Sequence, residues 1–136
     1  MHADSLNIRL ADCGNPFEGR VEQFYAGSWS TVCDDGWDLN DAKVVCRQLG
    51  LGGAVRATTG SFFGQGTGRA ILSNVDCTGN ETALGWCLHS GWISRSCSQT
   101  AGVVCEGGSD HSHLQRLCGL GQWLPVIVYA MLICNY

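Results

Sequence analysis

Residues 27–50 read Gly27-Ser-Trp-Ser-Thr-Val-Cys-Asp-Asp-Gly-Trp-Asp-Leu-Asn-Asp-Ala-Lys-Val-Val-Cys-Arg-Gln-Leu-Gly50, and this stretch decides the fold. Its second half shows the i, i+3, i+4, i+7 spacing of a helix with one buried face, in Ala42, Val45, Cys46 and Leu49. Acids and an asparagine precede the helix and suit its N-terminus, and Gly50 follows where a left-handed residue commonly ends a helix. Cys46 therefore points into the core, and a disulfide from it would fasten the helix to another element.

The composition favours a small domain that is stabilised by disulfides. The 136 residues include 19 glycines, nine cysteines and only 15% charged residues, so a large, well-filled core is not expected. Cysteines at this density in a small chain indicate an oxidising, extracellular setting. The alternative is a reduced cytosolic protein with cysteine metal ligands, but the chain has no Cys-x-x-Cys pair. The net charge of −4 argues against a general nucleic-acid binder.

The N-terminus lacks the features of a secretory signal. Residues 1–5 have neither a basic start nor an apolar run. Together with the cysteines, this suggests a fragment of a longer secreted or membrane-anchored protein, or a gene model that starts too late.

Short strands are predicted on both sides of the helix. The candidate strands are Ile8–Leu10, Arg20–Tyr25, Trp29–Cys33, Ala70–Leu72 and Gly102–Cys105, with a hairpin turn at Gly27 and Ser28. The glycine-rich residues 51–68 are predicted to form an irregular loop. Cys77 and Cys87 bracket a segment that suits a turn of helix closed by its own disulfide. Asn80-Glu-Thr82 within it is a glycosylation sequon, which is consistent with a surface position outside the cell.

Three regions follow from these patterns: a loose N-terminus at 1–5, a domain at 6–106, and a linker with an atypical hydrophobic tail at 107–136. The tail includes Trp123–Cys134, twelve residues without a charge. A membrane-spanning helix needs about 20 such residues, so this run is too short. It could be an unrelated terminal sequence from alternative splicing or a prediction error, a truncated membrane anchor, or a strand that docks on the domain.

Many motifs in one order resemble a scavenger receptor cysteine-rich (SRCR) domain over about Leu6 to Glu106. They are Gly19–Glu22, Gly27–Trp29, Thr31–Asp38, Ala42–Gly50, Phe63–Gly68, Cys77–Glu81, His89–Trp92 and Ala101–Cys105. The resemblance implies an α+β fold, in which a curved antiparallel β-sheet cradles one α-helix in a small disulfide-rich domain.

The same resemblance implies three disulfides, Cys33–Cys97, Cys46–Cys105 and Cys77–Cys87. Six cysteines allow fifteen pairings, so the sequence by itself does not choose among them. One subgroup of the family adds a bridge from an early cysteine to one just after the helix; this chain has Cys13 but carries Leu51 at the partner position. Cys13 is then unpaired unless Cys118 or Cys134 in the tail captures it. The odd total leaves at least one free or intermolecular thiol, so a disulfide-linked oligomer is a further expectation.

Asp34 and Asp35 are the sharpest functional candidates. Adjacent carboxylates repel each other unless a cation or a basic group compensates, and calcium prefers oxygen ligands of this kind. Several family members bind a cation with this pair and a glutamate, and the glutamate position here holds Gln99, so a weakened calcium site is implied. A second family site would use Asp76, but Ser73 replaces another of its acids. The alternative is a solvated acidic turn that caps the helix.

Arginines form the second candidate surface, because the guanidinium fork suits sulfate, phosphate and carboxylate groups. Some family members bind polyanions through arginines, which here implicates Arg20, Arg56, Arg69 and Arg95. Scattered surface arginines are the alternative, and Arg47 on the helix is expected to be structural. The large aromatic residues are expected to fill the core: Trp29, Trp37, Trp86 and Trp92.

Catalysis finds little support in the sequence. His89 lies in a loop without a nucleophile elbow, and the other histidines lie outside the domain. Cys105, His111, His113 and Cys118 have a spacing that fits no common zinc finger.

The sequence therefore predicts an extracellular, non-catalytic module, secreted or in a cell-surface ectodomain. It would bind polyanionic or microbial ligands or extracellular proteins, with calcium assistance, and it would contact a membrane only through a parent segment missing here. Two alternatives remain open. One is an accessory SRCR domain of a larger secreted enzyme, such as a serine protease or a lysyl-oxidase-like amine oxidase, and the other is a truncated non-functional product.

Overall fold

The computed structural model of the chain describes residues 7–11, 15–67, 69–107, 114–116 and 123–125. Their elements are β1 (Ile8–Ala11), β2 (Glu18–Tyr25), β3 (Ser28–Val32), α1 (Leu39–Gln48), β4 (Ala54–Thr58), β5 (Arg69–Leu72), a 3-10 turn (Leu84–Trp86), β6 (Arg95–Ser96), β7 (Gly102–Cys105), β8 (Leu114–Arg116) and β9 (Trp123–Pro125). The predictions for residues 1–5, Cys13, Cys118, Cys134 and most of the tail lie outside the described residues. No helix among those described is both long and apolar enough to cross a membrane.

Seven strands form one curled sheet in the order β4-β7-β2-β3-β5-β6, and β1 pairs with β2 beside this path. The predicted α+β fold with one helix is confirmed, but the sheet is mixed, because β3 and β5 run parallel. A parallel pair requires a long crossover, and here α1 and β4 lie between its two strands. Strands β8 and β9 form a separate antiparallel pair.

Helix α1 has the predicted buried face. Ala42, Val45 and Cys46 are fully buried, together with Val44. Its N-terminus is closed by a reciprocal capping box, in which the Asp38 side chain accepts from the Asp41 backbone N–H and the Asp41 side chain accepts from that of Asp38. After the helix, a left-handed Gly50 lets the Leu51 backbone N–H return to the carbonyl of Cys46 at 2.9 Å.

The three implied disulfides are confirmed. Cys46–Cys105 joins α1 to β7, Cys33–Cys97 joins the end of β3 to the segment before β7, and Cys77–Cys87 closes the loop that contains the 3-10 turn. The Cys46–Cys105 bridge links residues 59 positions apart in the chain, and the Cys33–Cys97 bridge links residues 64 positions apart.

Residues 51–68 were predicted to be irregular, and this is wrong for β4. Residues 54–58 lack glycine and pair antiparallel with β7, with an irregularity between Ala54 and Arg56. Residues 59–67 form a loop that packs against β2 and against the segment before β7. The hairpin turn between β2 and β3 lies at Ala26 and Gly27, one residue earlier than predicted, and both residues have positive φ.

Candidate cation site and charged surfaces

Asp34 lies two residues after the end of β3, in the turn that leads to α1. Its backbone N–H donates to the carbonyl of Gln99 at 3.2 Å, and its Oδ2 accepts from the backbone N–H of Gly60 at 2.7 Å. Among the described residues, no hydrogen bond reaches Oδ1 of Asp34, and the side chain of Asp35 is exposed. This turn therefore presents two carboxylates to solvent, one of which is fixed by the backbone.

The loop 59–67 and the segment 97–100 are bonded to each other beside this turn. The Gln65 side-chain amide donates to the Cys97 carbonyl at 2.7 Å, and the Thr100 hydroxyl donates to the Gly64 carbonyl at 2.7 Å. The Thr100 backbone N–H donates to the Ser61 hydroxyl at 2.9 Å. Because Cys33–Cys97 closes the same corner, Gln99 is held next to Asp34 with its side chain exposed. The structure thus places the backbones of three of the four predicted cation ligands, Asp34, Asp35 and Gln99, in one corner.

Asp76 does not join this corner. Its backbone N–H donates to the Leu88 carbonyl at 2.8 Å, which places it on the Cys77–Cys87 loop, with its side chain exposed. In the described part of the chain, the only compact group of three potential metal-ligating side chains is Cys77, Glu81 and Cys87. Its two sulfur atoms form a disulfide, so this group offers no thiolate ligand.

The Glu81 carboxylate organises the sequon loop instead. It accepts hydrogen bonds from the backbone N–H groups of Thr78 and Gly79 and from the Thr78 hydroxyl, at 2.9 to 3.1 Å. These donors, the Thr78 backbone N–H foremost, lower the pKa of Glu81 from 4.5 to about 2. Asn80 is exposed in this loop, a position compatible with the predicted glycosylation.

Asp41 shows the opposite pKa shift. Its side chain is fully buried, and burial raises its pKa from 3.8 to about 6, although the backbone N–H groups of Cys77 and Asp38 act to lower it. The protein therefore holds two carboxyl groups, Asp41 and Glu81, whose pKa values move apart on folding.

These two shifts predict a stability maximum near pH 4 to 5. Between pH 3.8 and about 6 the folded state retains a proton on Asp41 that the unfolded state has released, so the free energy of unfolding should fall as pH rises through this window. Between pH 4.5 and about 2 the folded state keeps Glu81 ionised, so stability should be lost as pH falls. Urea denaturation from pH 2 to 8 measures both slopes. Asp41→Asn should flatten only the first and Glu81→Gln only the second; an unchanged first slope in Asp41→Asn would contradict the assignment.

Arg20 was predicted to be an exposed ligand-binding residue, and this does not fit the structure. It is 7% exposed, its guanidinium pairs with Glu22 Oε2 at 3.1 Å, and Nη1 donates to the Phe63 carbonyl at 3.0 Å. The loop 59–67 lies over it, since a Cβ on Gly66 would fall 2.8 Å from Arg20 Nε. The alternation of side chains along a strand predicts on which face of β2 Arg20 lies, but the sequence does not show that the loop 59–67 covers this face. Arg20 anchors the loop.

The other three predicted arginines do not form one cluster. Arg56 is exposed on β4, at one end of the strand order, and its guanidinium lies 5.2 Å from the Phe62 ring centre. Arg69 and Arg95 lie at the other end, on β5 and β6. Arg69 pairs with Ser96 and Arg95 with Ala70, so the two arginines alternate to opposite sides of this ladder.

Arg69 is exposed, and its guanidinium is oriented by two serines. It donates to the Ser94 hydroxyl at 3.0 Å and to the Ser96 hydroxyl at 3.5 Å. Among the described residues, its hydrogen-bond partners are neutral hydroxyls and no carboxylate pairs with it, so its positive charge is uncompensated there. Arg69 is therefore the best placed of the predicted arginines to meet an anion.

Arg9 was missed by the sequence analysis. Its side chain is 49% exposed, lies 4.3 Å from the Trp29 ring centre, and pairs with Glu22 Oε1 at 2.7 Å. Glu22 thus bridges the exposed Arg9 and the buried Arg20. The only signal in the sequence was the charge pattern of two neighbouring strands, which is informative only once their register is known.

The tryptophans behave differently from one another. Trp37 is buried, as predicted, and its indole N–H donates to the Gly102 carbonyl at 2.9 Å. Trp29 and Trp92 are half-buried, and Trp92 stacks on Tyr25 with ring centres 4.7 Å apart. The prediction is wrong for Trp86, which is 59% exposed because Leu84 fills the core from the 3-10 turn.

Comparison with known proteins is consistent with this geometry. The family profile of the scavenger receptor cysteine-rich domain matches residues 11–106. An SRCR domain superfamily protein of Patiria pectinifera is 50% identical over 103 residues, which are 74% of this chain and only 9% of that protein. The chain belongs to the SRCR family, whose domains are generally non-catalytic binding modules known from scavenger receptors and other extracellular proteins.

Two solved structures are similar to this chain. The third SRCR domain of murine neurotrypsin is 50% identical with a TM-score of 0.65, and the match covers 76% of this chain and 98% of that one. The SRCR domain of mouse MARCO, in a dimeric form, is 42% identical with a TM-score of 0.55, and the match covers 65% of this chain and 86% of that one.

Proposed function

We propose that this chain is a non-catalytic, extracellular ligand-binding module, from a secreted protein or a cell-surface ectodomain, that binds polyanionic or microbial-surface ligands or extracellular proteins with the help of calcium. The observation that carries the proposal is the corner at Asp34. There a disulfide and backbone hydrogen bonds hold Asp34 and Gln99 side by side, next to the exposed Asp35.

Calcium would be held by the carboxylates of Asp34 and Asp35 and the side-chain oxygen of Gln99. Calcium takes six to eight oxygen ligands, so solvent or ligand oxygens would complete the shell. An anionic ligand would supply such oxygens and would be bridged to the acidic turn. A neutral amide in place of a third carboxylate weakens the site, and Asp76 lies outside it.

Arginines would supply direct charge pairing. Arg69 is the principal candidate, and Arg56 and Arg95 would act on surfaces of their own. Arg20 is left out because it is buried. Exposed pairs of this type are individually weak and screened by salt, so binding would need a ligand that engages several of them.

The test is binding of the chain to immobilised dextran sulfate, with 2 mM calcium (on the order of a weak extracellular site) or with a chelator. We expect calcium to strengthen binding, Asp34→Ala with Asp35→Ala to abolish this gain, and Gln99→Glu to raise the apparent calcium affinity on the order of ten-fold. Arg69→Ala should weaken binding with or without calcium, and added salt should weaken it throughout.

Calcium-independent binding that still depends on Arg69 would remove the bridging mechanism and leave the charge pairing. Binding that is insensitive to salt and to Arg69→Ala would indicate an apolar protein interface. No binding to the polyanion in any condition would refute the polyanion specificity. The matched control for the loss of acidic side chains is Asp76→Ala, which removes an exposed acid outside the proposed site. Asp38→Ala is unsuitable for this purpose because Asp38 caps α1.

A second candidate is an accessory domain within a larger secreted protein, including an enzyme. It is favoured by the chain's 9% share of the Patiria pectinifera relative and by the neurotrypsin domain, which is the third SRCR domain of its protein. Catalytic motifs encoded beside this domain would support it, and tandem copies of the domain would support a receptor. The dimeric form of the MARCO domain makes self-association a further expectation for this chain.

A further inference from the structure

A groove between helix α1 and the turn that precedes β4 lies apart from the Asp34 corner. It has a volume of about 680 Å3 and is lined mainly by Lys43, Arg47, Gly50, Gly52, Gly53 and Glu106. We call it the α1 groove. None of these residues belongs to the proposed calcium site or to the proposed polyanion surface.

Two cations line one wall of the α1 groove. Lys43 and Arg47 are exposed and lie four residues apart, so they are neighbours on the outer face of the helix. Nη2 of Arg47 donates to the carbonyls of Gly79 and Glu81 at 2.6 and 2.7 Å, which fixes the guanidinium and leaves its other three N–H groups outside these bonds. Within the described residues no ion pair reaches Lys43, so its charge is available to a ligand.

The opposite wall already holds a carboxylate. Glu106 Oε1 accepts from the backbone N–H of Gly53 at 2.9 Å, and the Glu106 backbone N–H donates to the Gly53 carbonyl at 2.8 Å. A Cβ on Gly53 would fall 2.8 Å from Glu106 Oε1, so glycine makes this approach feasible. At Gly50 a Cβ would meet nothing within 4 Å, which shows that the groove is open there.

We propose that the α1 groove binds an acidic peptide segment of a partner protein. Two cations face one acid, so the groove carries a net positive charge in a chain whose net charge is −4. Aspartate or glutamate side chains of the partner would pair with Lys43 and with the remaining N–H groups of Arg47. The open space at Gly50 leaves room for the partner's main chain, and Glu106 limits affinity by like-charge repulsion.

The test is a titration of the 15N-labelled full chain with an N-acetylated, C-amidated hexaglutamate peptide. The amide resonances of Gly50, Gly52 and Gly53 report on the groove directly. We expect them to shift, and we expect Lys43→Ala to weaken binding about three-fold, the scale of one exposed ion pair. Glu106→Gln should tighten binding two- to three-fold (roughly), because its amide oxygen still accepts from Gly53 while the repulsion is removed. Arg9→Ala, which removes the same charge from β1, outside the groove and outside the proposed polyanion surface, should leave the affinity unchanged.

Three outcomes would overturn the proposal. One is the absence of glycine shifts, and another is an equal loss of affinity in Lys43→Ala and Arg9→Ala, which would indicate non-specific charge attraction. The third concerns dextran sulfate: if it shifts the resonances of the groove glycines at a lower concentration of negative charges than the peptide does, the groove is a site for sulfated polymers. Because none of these readouts involves calcium or Asp34, failure here is distinguishable from failure of the proposed function.

Discussion

Replacing Cys46 and Cys105 together by alanine is expected to lower the free energy of unfolding by about 4 kcal/mol. The bridge closes a segment of 59 residues, and a loop of that length loses much conformational entropy in the unfolded chain. Both cysteines are buried, so two small cavities add to the loss. Urea denaturation under non-reducing conditions, with the chain otherwise intact, gives the value.

The matched control is the double replacement of Cys77 and Cys87, also by alanine. This bridge closes only 10 residues, and the same relation gives about 3 kcal/mol. Both pairs are buried, so the difference between the variants isolates the length of the closed segment. If the pair with the short segment proved the more destabilising, the entropic account of the Cys46–Cys105 bridge would be contradicted.

Gly102→Ala is expected to destabilise the domain by about 3 kcal/mol, the upper end for overpacking a core. A Cβ on Gly102 would lie 2.8 Å from the Phe63 ring and 2.9 Å from the Gly19 carbonyl oxygen, and it would overlap the Thr58 hydroxyl. Since the Gly19 oxygen belongs to the backbone of a paired strand, it has little freedom to move. The Gly102 carbonyl also accepts from Trp37, so any shift of β7 weakens that bond as well.

Thermal and urea denaturation of Gly102→Ala should be compared with Gly36→Ala. Gly36 has a φ of +71° but open space around it, so alanine there adds only backbone strain of about 1 kcal/mol. Equal effects in the two variants would show that close packing at Gly102 is not what requires glycine.

The helix and most strands could be predicted because their signals are local. The stripe from Ala42 to Leu49 has one period and clear caps at both ends, and the structure reproduces it. Strand β4 was missed because its sequence, Ala-Val-Arg-Ala-Thr, shows no alternation and lies between glycines. What makes it a strand is pairing with β7, a contact between residues far apart in the chain.

The charged residues show where sequence reasoning stops. Asp34 and Gln99 are 65 positions apart, and it was the family resemblance that placed them together. Arg9 and Arg20 both lie in strands that the sequence predicts, and each is followed by an apolar residue. The loop 59–67 covers one and leaves the other exposed, and this difference depends on tertiary packing alone.

The Cys33–Cys97 bridge has a consequence for how this domain would respond to its surroundings. It ties the turn that carries Asp34 to the segment that carries Gln99, so the geometry proposed for calcium depends on an intact bond between two sulfur atoms. By linkage, a bound ion would make that bond harder to reduce, and a reductant would release the ion. A reducing thiol would then inhibit calcium-dependent ligand binding without reacting with any side chain that contacts the ligand.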